Sequence, residues 1–395
     1  MRMRTAWLLT ALLAAALPAL AAKPPKVQWL KMFWGLKEAS GSWVRQTSDG
    51  GYIAAGVTDV DSWPVPCRYY VVRLNSAGDT LWTRTFVRPG NYANAVAHSV
   101  VQTMDGGFAV FGTADSEGLT QSHLVKLDST GGLQWRTTFH GDTFADGSAL
   151  QQTADSGYVL AGHFYWSYPY LHKVDKRGEP QWCWAVEDDR RDVYQASAPV
   201  ALAGDGGYVT TGHSDSFGLT LWKVNSAGIT VWRQVYADED AYDCQSLVPT
   251  ADQGFAVVGI TGKSGSGDPY RFYLLKVNAS GIKEWCKYFS GRNYRISSVW
   301  QTKDSGFIMA GSVSSTKGRN WKSDAFVLRT DRNGKELWYA LVSPPSDGSG
   351  GGTVQQTSDG GYIICGGAGW RLGNDRVHGC MFLTKLAPDQ KTGPK

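Results

Sequence analysis

The stretch QTSDGGYIAAG, residues 46–56, recurs along the chain. It returns as QTMDGGFAVFG at 102–112, QTADSGYVLAG at 152–162, LAGDGGYVTTG at 202–212, PTADQGFAVVG at 249–259, QTKDSGFIMAG at 301–311 and QTSDGGYIICG at 356–366. Seven copies at a period of about 50 residues indicate a repeat architecture, in which each unit covers its apolar faces by stacking on its neighbours. A second phrase follows each copy. It holds an apolar strand, an Asn/Asp-x-x-Gly turn, a Trp, and an apolar residue four positions on, as in VVRLNSAGDTLWTRTF at 71–86 and LLKVNASGIKEWCKYF at 274–289. Both phrases read as β-hairpins, with Gly, Asn and Asp supplying the turns.

Each repeat therefore predicts four antiparallel strands, here A to D. Strand A ends in Gln-Thr, and the Asp-Gly-Gly turn is expected to close a two-residue hairpin to strand B. Strand C follows, and strand D carries the Trp. The expected fold class is all-β, a seven-bladed β-propeller of four-stranded blades over residues 22–390, with repeats starting near 42, 98, 148, 195, 245, 296 and 352 and a tail at 391–395. The Trp series counts six members, Trp82, Trp135, Trp182, Trp232, Trp285 and Trp338, for seven copies of the first phrase. VQWLKMF near the start of the chain spaces Trp29 and Phe33 like Trp82 and Phe86. The strand at 27–34 is thus expected to complete the seventh blade, which removes the open sheet edge.

Arg2 and Arg4, the apolar run Ala6 to Leu17, and the small-residue site Ala19-Leu20-Ala21 read as a secretory signal peptide over 1–21. The expected location is secreted or periplasmic. The formal charge of +4, two of which leave with Arg2 and Arg4, gives no basis for nucleic acid as a partner. No later apolar stretch is long enough for a membrane helix, and a monomer is expected. The six cysteines are too sparse for a disulfide scaffold. Cys365 and Cys380 lie on successive expected strands and could face each other; buried free thiols are the other reading.

The repeated aspartates Asp49, Asp105, Asp155, Asp205, Asp252, Asp304 and Asp359 read as turn caps rather than metal ligands. The Asn/Asp-x-x-Gly turns lack the ligand alternation of a calcium loop. The Trp series reads as packing between blades. Gln46, Gln102, Gln152, Gln301 and Gln356 are expected to hydrogen-bond within the ring or to line a wet channel. His163 and His213 occupy equivalent positions, without Cys or His at zinc spacing. No cofactor or metal is expected, and no catalytic residue is singled out.

Both tight turns of every repeat fall on one face, so the variable B-to-C and D-to-A loops share the other. Sites are usually grafted on such loops. These loops carry Trp63, Tyr165, Trp166, Tyr168, Trp321 and Trp370, with Arg319 and Arg371 nearby, an expected ligand face suited to a glycan or protein of the cell envelope. The acidic turns Glu187-Asp188-Asp189 and Asp238-Glu239-Asp240 add carboxylates there.

These repeats resemble the Gln-Thr-x-Asp-Gly-Gly-Tyr-Ile-x-x-Gly repeats of secreted and cell-surface bacterial and archaeal propellers, a quinoprotein-like superfold, over nearly all of the chain after residue 21. The resemblance implies fold and compartment and assigns no chemistry. A fainter similarity to quinoprotein propellers lacks their eight blades and adjacent cysteine pair. The leading expectation is a binding or interaction module. The alternative is an exported glycoside hydrolase, lyase or quinone-dependent oxidoreductase.

Overall fold

A computed structural model describes residues 22–35, 38–59, 67–86, 94–116, 119–139, 145–164, 168–186, 194–195, 199–214, 218–236, 241–261, 271–290, 293–317, 320–372 and 376–390. All regular structure among them is β-strand. β1 (Val27–Phe33) precedes the repeats. β2 (Ala39–Gln46), β3 (Tyr52–Thr58), β4 (Arg68–Leu74) and β5 (Thr80–Phe86) pair antiparallel in chain order. So do β6 (Ala95–Gln102), β7 (Phe108–Ser116), β8 (Leu119–Leu127) and β9 (Leu133–Phe139), and then β10 (Ala145–Gln152), β11 (Tyr158–Phe164), β12 (Tyr168–Val174) and β13 (Pro180–Ala185). In the next group the first strand is split into β14 (Tyr194–Gln195) and β15 (Val200–Leu202), both paired with β16 (Tyr208–Ser214), which is followed by β17 (Gly218–Val224) and β18 (Thr230–Tyr236). β19 (Ala241–Pro249), β20 (Phe255–Thr261), β21 (Phe272–Val277) and β22 (Lys283–Phe289) repeat the four-stranded pattern.

The remaining strands are β23 (Asn293–Gln301), β24 (Phe307–Lys317), β25 (Asn320–Thr330), β26 (Glu336–Leu341), β27 (Gly348–Gln356), β28 (Tyr362–Leu372) and β29 (Arg376–Leu386). They share one eight-stranded sheet because a parallel bridge, Ser323 to Gly348, joins the group β23–β26 to β27–β29. The eighth strand is β1, antiparallel to β29 with Leu30 opposite Thr384 and Phe33 opposite Met381.

Burial explains the composition of each strand. β3 is buried along its whole length and β4 nearly so, which is why these runs are largely apolar, whereas the outer strand β5 is mostly exposed. Neighbouring groups meet through an aromatic pair. Outer-strand Trp residues pack on the aromatic that follows the tight turn of the next repeat: Trp82 on Phe108 at 5.6 Å, Trp135 on Tyr158 at 6.1 Å, Trp182 on Tyr208 at 5.8 Å, Trp285 on Phe307 at 5.9 Å and Trp338 on Tyr362 at 5.7 Å. Trp29 of β1 meets Tyr52 at 5.6 Å in the same edge-on manner, and it lies against Gly78 as Trp82 lies against Gly131. Edge-to-face pairs of this kind contribute about 0.5–1.5 kcal/mol beyond their buried area.

Glutamine tips carry the same connection. The Gln102 side-chain carbonyl accepts from the Ser48 amide, Gln152 from Met104, Gln301 from Ala251, and Gln356 from Lys303. Gln46 accepts from Ser358, so the last repeat bonds to the first.

Two expectations change. The turns are three-residue loops rather than two-residue hairpins. Thr47 N–H donates to Gly51 O, Gly50 N–H donates to Thr47 O, and Gly50 takes φ +81°, the geometry of a type I turn ending in a left-handed residue. The following glycine serves a different need, since a Cβ on Gly51 would stand 2.4 Å from the Leu74 carbonyl. Cys365 and Cys380 do not face each other. Cys365 pairs with Leu383 and Cys380 with Ala368, and none of the six cysteines is in a disulfide.

The turn aspartates do more than cap. Asp155 accepts from Thr153 Oγ1 and the Gly157 amide, and also binds Lys173 Nζ at 2.8 Å. Every repeat has this ion pair with a buried cation of its third strand: Arg73–Asp49, Lys126–Asp105, Lys173–Asp155, Lys223–Asp205, Lys276–Asp252, Arg329–Asp304 and Lys385–Asp359. The cation lets an otherwise apolar strand run up to the polar turn without leaving its charge unpaired.

Candidate functional site: a central channel and its mouth

The innermost strand of nearly every group carries a β-bulge. Register shifts fall between Gly41 and Trp43, Ala97 and Ser99, Gly147 and Ala149, Cys244 and Ser246, Ile296 and Ser298, and Gly351 and Val354. The last glycine of the repeated phrase makes room for it. A Cβ on Gly56 would stand 2.0 Å from the Ser40 carbonyl, and one on Gly162 would stand 1.9 Å from that of Asp146. Bulges re-aim side chains. Here the extra residues Ser42, His98, Ser148, Gln245, Ser297 and Thr353 line one cavity of about 460 Å³. Its wall takes residues from β2, β6, β10, β15, β19, β23 and β27, the first strand of each repeat, so the cavity is a central channel.

A second cavity of about 1170 Å³ shares Gln245, Ser297 and Gly352 with the first. It is lined by the starts of β2, β19, β23 and β27, including Glu38, Asp243 and Arg295. Those starts lie at the opposite end from the tight turns, so this larger space is the mouth of the channel on the side of the variable loops.

Charged groups concentrate at three points. His163 Nε2 lies 3.2 Å from Asp146 Oδ2, and both His98 and His163 line the channel. Burial pulls the His98 pKa down; Asp146 opposes that shift and His163 adds to it. At the mouth, burial pushes the Asp243 carboxyl up to about 6, against the hydrogen bonds from Gln245 and the Cys244 amide. Deeper in, Arg45 contacts two indoles, its Cζ 4.7 Å from the Trp43 ring and 4.6 Å from the Trp300 ring, and burial pulls its pKa down to about 10. Among the described residues no three His, Cys, Asp or Glu side chains are placed to hold a metal ion.

The loop-face residues distribute differently. Trp63, Tyr165, Trp166 and Arg319 lie outside the described residues, as do the acidic turns at 187–189 and 238–240. Trp321 sits in β25 opposite Thr316, and Arg371 in β28 opposite Val377. Tyr168 opens β12, part-buried against the cluster that contains Leu171 and Trp184. Trp370 packs on Trp34 at 5.0 Å, and its indole N–H donates to the Pro345 carbonyl at 2.8 Å. His213 is buried in β16. Sequence reasoning did not single out Arg45, His98, Asp146 or Asp243. Their one signal is position: each falls in the first strand of a repeat, within a few residues of the bulge that the closing glycine allows.

No known protein family and no curated protein matches the sequence. Solved structures do. BBS1N, crystallised in complex with ARL6DN, superposes with a TM-score of 0.54 at 10% identity, over 94% of this chain and 99% of that one. The Neurospora crassa Pan2 WD40 domain superposes with a TM-score of 0.52 at 10% identity, over 87% and 88%. At such identities the likeness concerns the fold alone, which is all-β and propeller-like.

Proposed function

We propose that this chain is an exported seven-bladed β-propeller over residues 22–390, with 27–34 supplying the outer strand of the last blade, and that it acts as a binding module. Its ligand, an envelope glycan or protein segment, enters from the variable-loop side and is held at the channel mouth. In this reading the ligand is contacted by Trp63, Tyr165, Trp166 and Arg319, together with Trp321 of β25, Arg371 of β28, Tyr168 and Trp370. The observation that carries this reading is the mouth itself, a space of about 1170 Å³ opening into a mainly apolar channel, since concave, largely apolar sites with a few convergent polar groups are where ligands bind. The propeller-like neighbour BBS1N was crystallised with a protein partner, which supports interaction as a use of such a scaffold.

A thermal-shift screen of residues 22–395 against glycans and peptides tests it, because a ligand specific for the folded state raises stability. Hits should weaken in Ser297→Trp, which fills the mouth, and in Trp166→Ala, and should persist in Met104→Ala on the tight-turn face. Hits that survive Ser297→Trp would place binding elsewhere.

A second reading, an exported hydrolase or lyase, is favoured by Asp243, whose carboxyl at about 6 suits proton donation near neutral pH. Turnover of a polysaccharide abolished by Asp243→Asn would establish it in place of the binding module.

A further inference from the structure

Within the channel, one cation has no acid. The buried cations of the third strands all reach the aspartate of their own turn, as described above. Arg45 differs. Its side chain is directed into the channel, where it contacts Trp43 and Trp300, and among the described residues it has no carboxylate within ion-pair distance. Indole faces offset only part of the cost of taking a guanidinium out of bulk water.

The wall of the same cavity supplies further donors. Ser246 Oγ accepts from the Val299 amide, Ser298 Oγ from the Val354 amide, and Thr353 Oγ1 from the Val44 amide. Each hydroxyl thereby has an acceptor lone pair occupied by the next repeat, and its own O–H hydrogen is left to donate elsewhere. All three line the same cavity as Arg45. A guanidinium together with a row of hydroxyl donors is a setting for an anion, and the planar fork of an Arg matches a carboxylate in particular. A space of about 460 Å³ falls in the range of small-molecule sites.

From this juxtaposition we infer that the inner channel binds a small organic carboxylate, which pairs with the Arg45 guanidinium and accepts hydrogen bonds from Ser246, Ser298 and Thr353. This deepens the binding-module reading and rests on it, by giving the ligand that enters through the mouth an acidic group. The lowered pKa of Arg45 agrees, because it arises from burial with no acid opposing it.

Calorimetric titration of residues 22–395 in chloride-free buffer tests the inference with two matched pairs of probes, D-glucuronate against D-glucose and acetate against acetamide. The acids should bind saturably and their neutral twins at least tenfold more weakly. If glucuronate binds and acetate does not, the ligand is an acidic sugar; if both bind, the carboxylate alone suffices. Arg45→Gln should weaken acid binding by about 10- to 100-fold, the worth of charged hydrogen bonds. Arg45→Lys keeps the charge without the fork and should fall between the two; it carries the test if Arg45→Gln does not fold. Equal binding of acid and neutral twin, no binding of either acid, or acid binding unchanged by the variant that folds would overturn the carboxylate site. The broader reading is judged separately, by neutral glycans or peptides that bind wild type and are blocked by Ser297→Trp.

Discussion

Replacing Asp155 by Asn removes the countercharge of Lys173 while keeping an oxygen for the turn. The Lys173 side chain is only 4% exposed and its Nζ has three partners: Asp155, the Val174 carbonyl at 3.2 Å and Gln181 Oε1 at 3.0 Å. Breaking a fully buried pair costs about 3–5 kcal/mol. Asp155 is itself 54% exposed, so water already screens part of the attraction and two neutral acceptors remain. The expected loss is therefore about 1.5–3 kcal/mol. Lys173→Met should cost less, about 1 kcal/mol or under, because the carboxylate it abandons is solvated. The double variant should recover at least about 1 kcal/mol of the Asn loss, which makes the coupling readable as a double-mutant cycle. Urea unfolding of the four proteins measures it. A cost of Asp155→Asn below about 0.5 kcal/mol, or a Lys173→Met variant the less stable of the two, would refute the view that buried cations need these aspartates.

Acid provides a second reading of the same pairs. Partial burial raises the Asp105 and Asp155 carboxyls, but hydrogen bonds from Lys126 or Lys173, the turn threonine and the glycine amide outweigh it and hold both at about 2. A carboxyl held low in the fold stabilises above its unfolded pKa and loses that contribution as pH falls from about 4 to about 2; melting curves across this window should show a smaller acid loss in Asp155→Asn than in wild type. Asp243 has the opposite sign: its carboxyl sits at about 6 when folded, so its ionisation weakens the fold as pH rises from about 4 through 6. Asp243→Asn should then raise the melting temperature at pH 7.5, by the equivalent of up to about 3 kcal/mol, and give no gain at pH 3.5. Ser156 and Ser305 occupy the left-handed turn position at φ 65° and 64°, where Gly is the unstrained residue, so Ser156→Gly and Ser305→Gly should each stabilise by about 0.5–1 kcal/mol in urea titrations. Gly162→Ala should cost more than about 2 kcal/mol by the same assay, since its Cβ would press on the Asp146 carbonyl.

The strand pattern was legible because the repeat exposes it seven times over. Turn residues, Trp spacing and apolar runs each return in register, and Trp29 could be set at the vacant seventh Trp position from spacing alone. The role of the strand-C cations was not legible, since a Lys between apolar residues reads as an outward side chain until the turn aspartate of the same repeat is seen beside it. The residues that line the channel were hidden for a related reason. Strict alternation predicts which side chains of strand A face inward, and the bulge at Ser42, His98 and Ser148 breaks that alternation by one residue. The closing glycine of the phrase marks each bulge. It could be read as such only after its contact with the opposing carbonyl was known. Gly212 is the informative exception: in its repeat the first strand is split into β14 and β15, and its nearest neighbours are Trp222 and Pro169 rather than a bulge carbonyl.

Amide hydrogen exchange on residues 22–395 tests most directly whether the first strand completes the last sheet. Pairing of β1 with β29 predicts that peptides covering residues 27–34 exchange as slowly as those covering 381–386, and that Trp29→Ala accelerates both together. Exchange of 27–34 at the rate of a free peptide, while 381–386 stays protected, would contradict it.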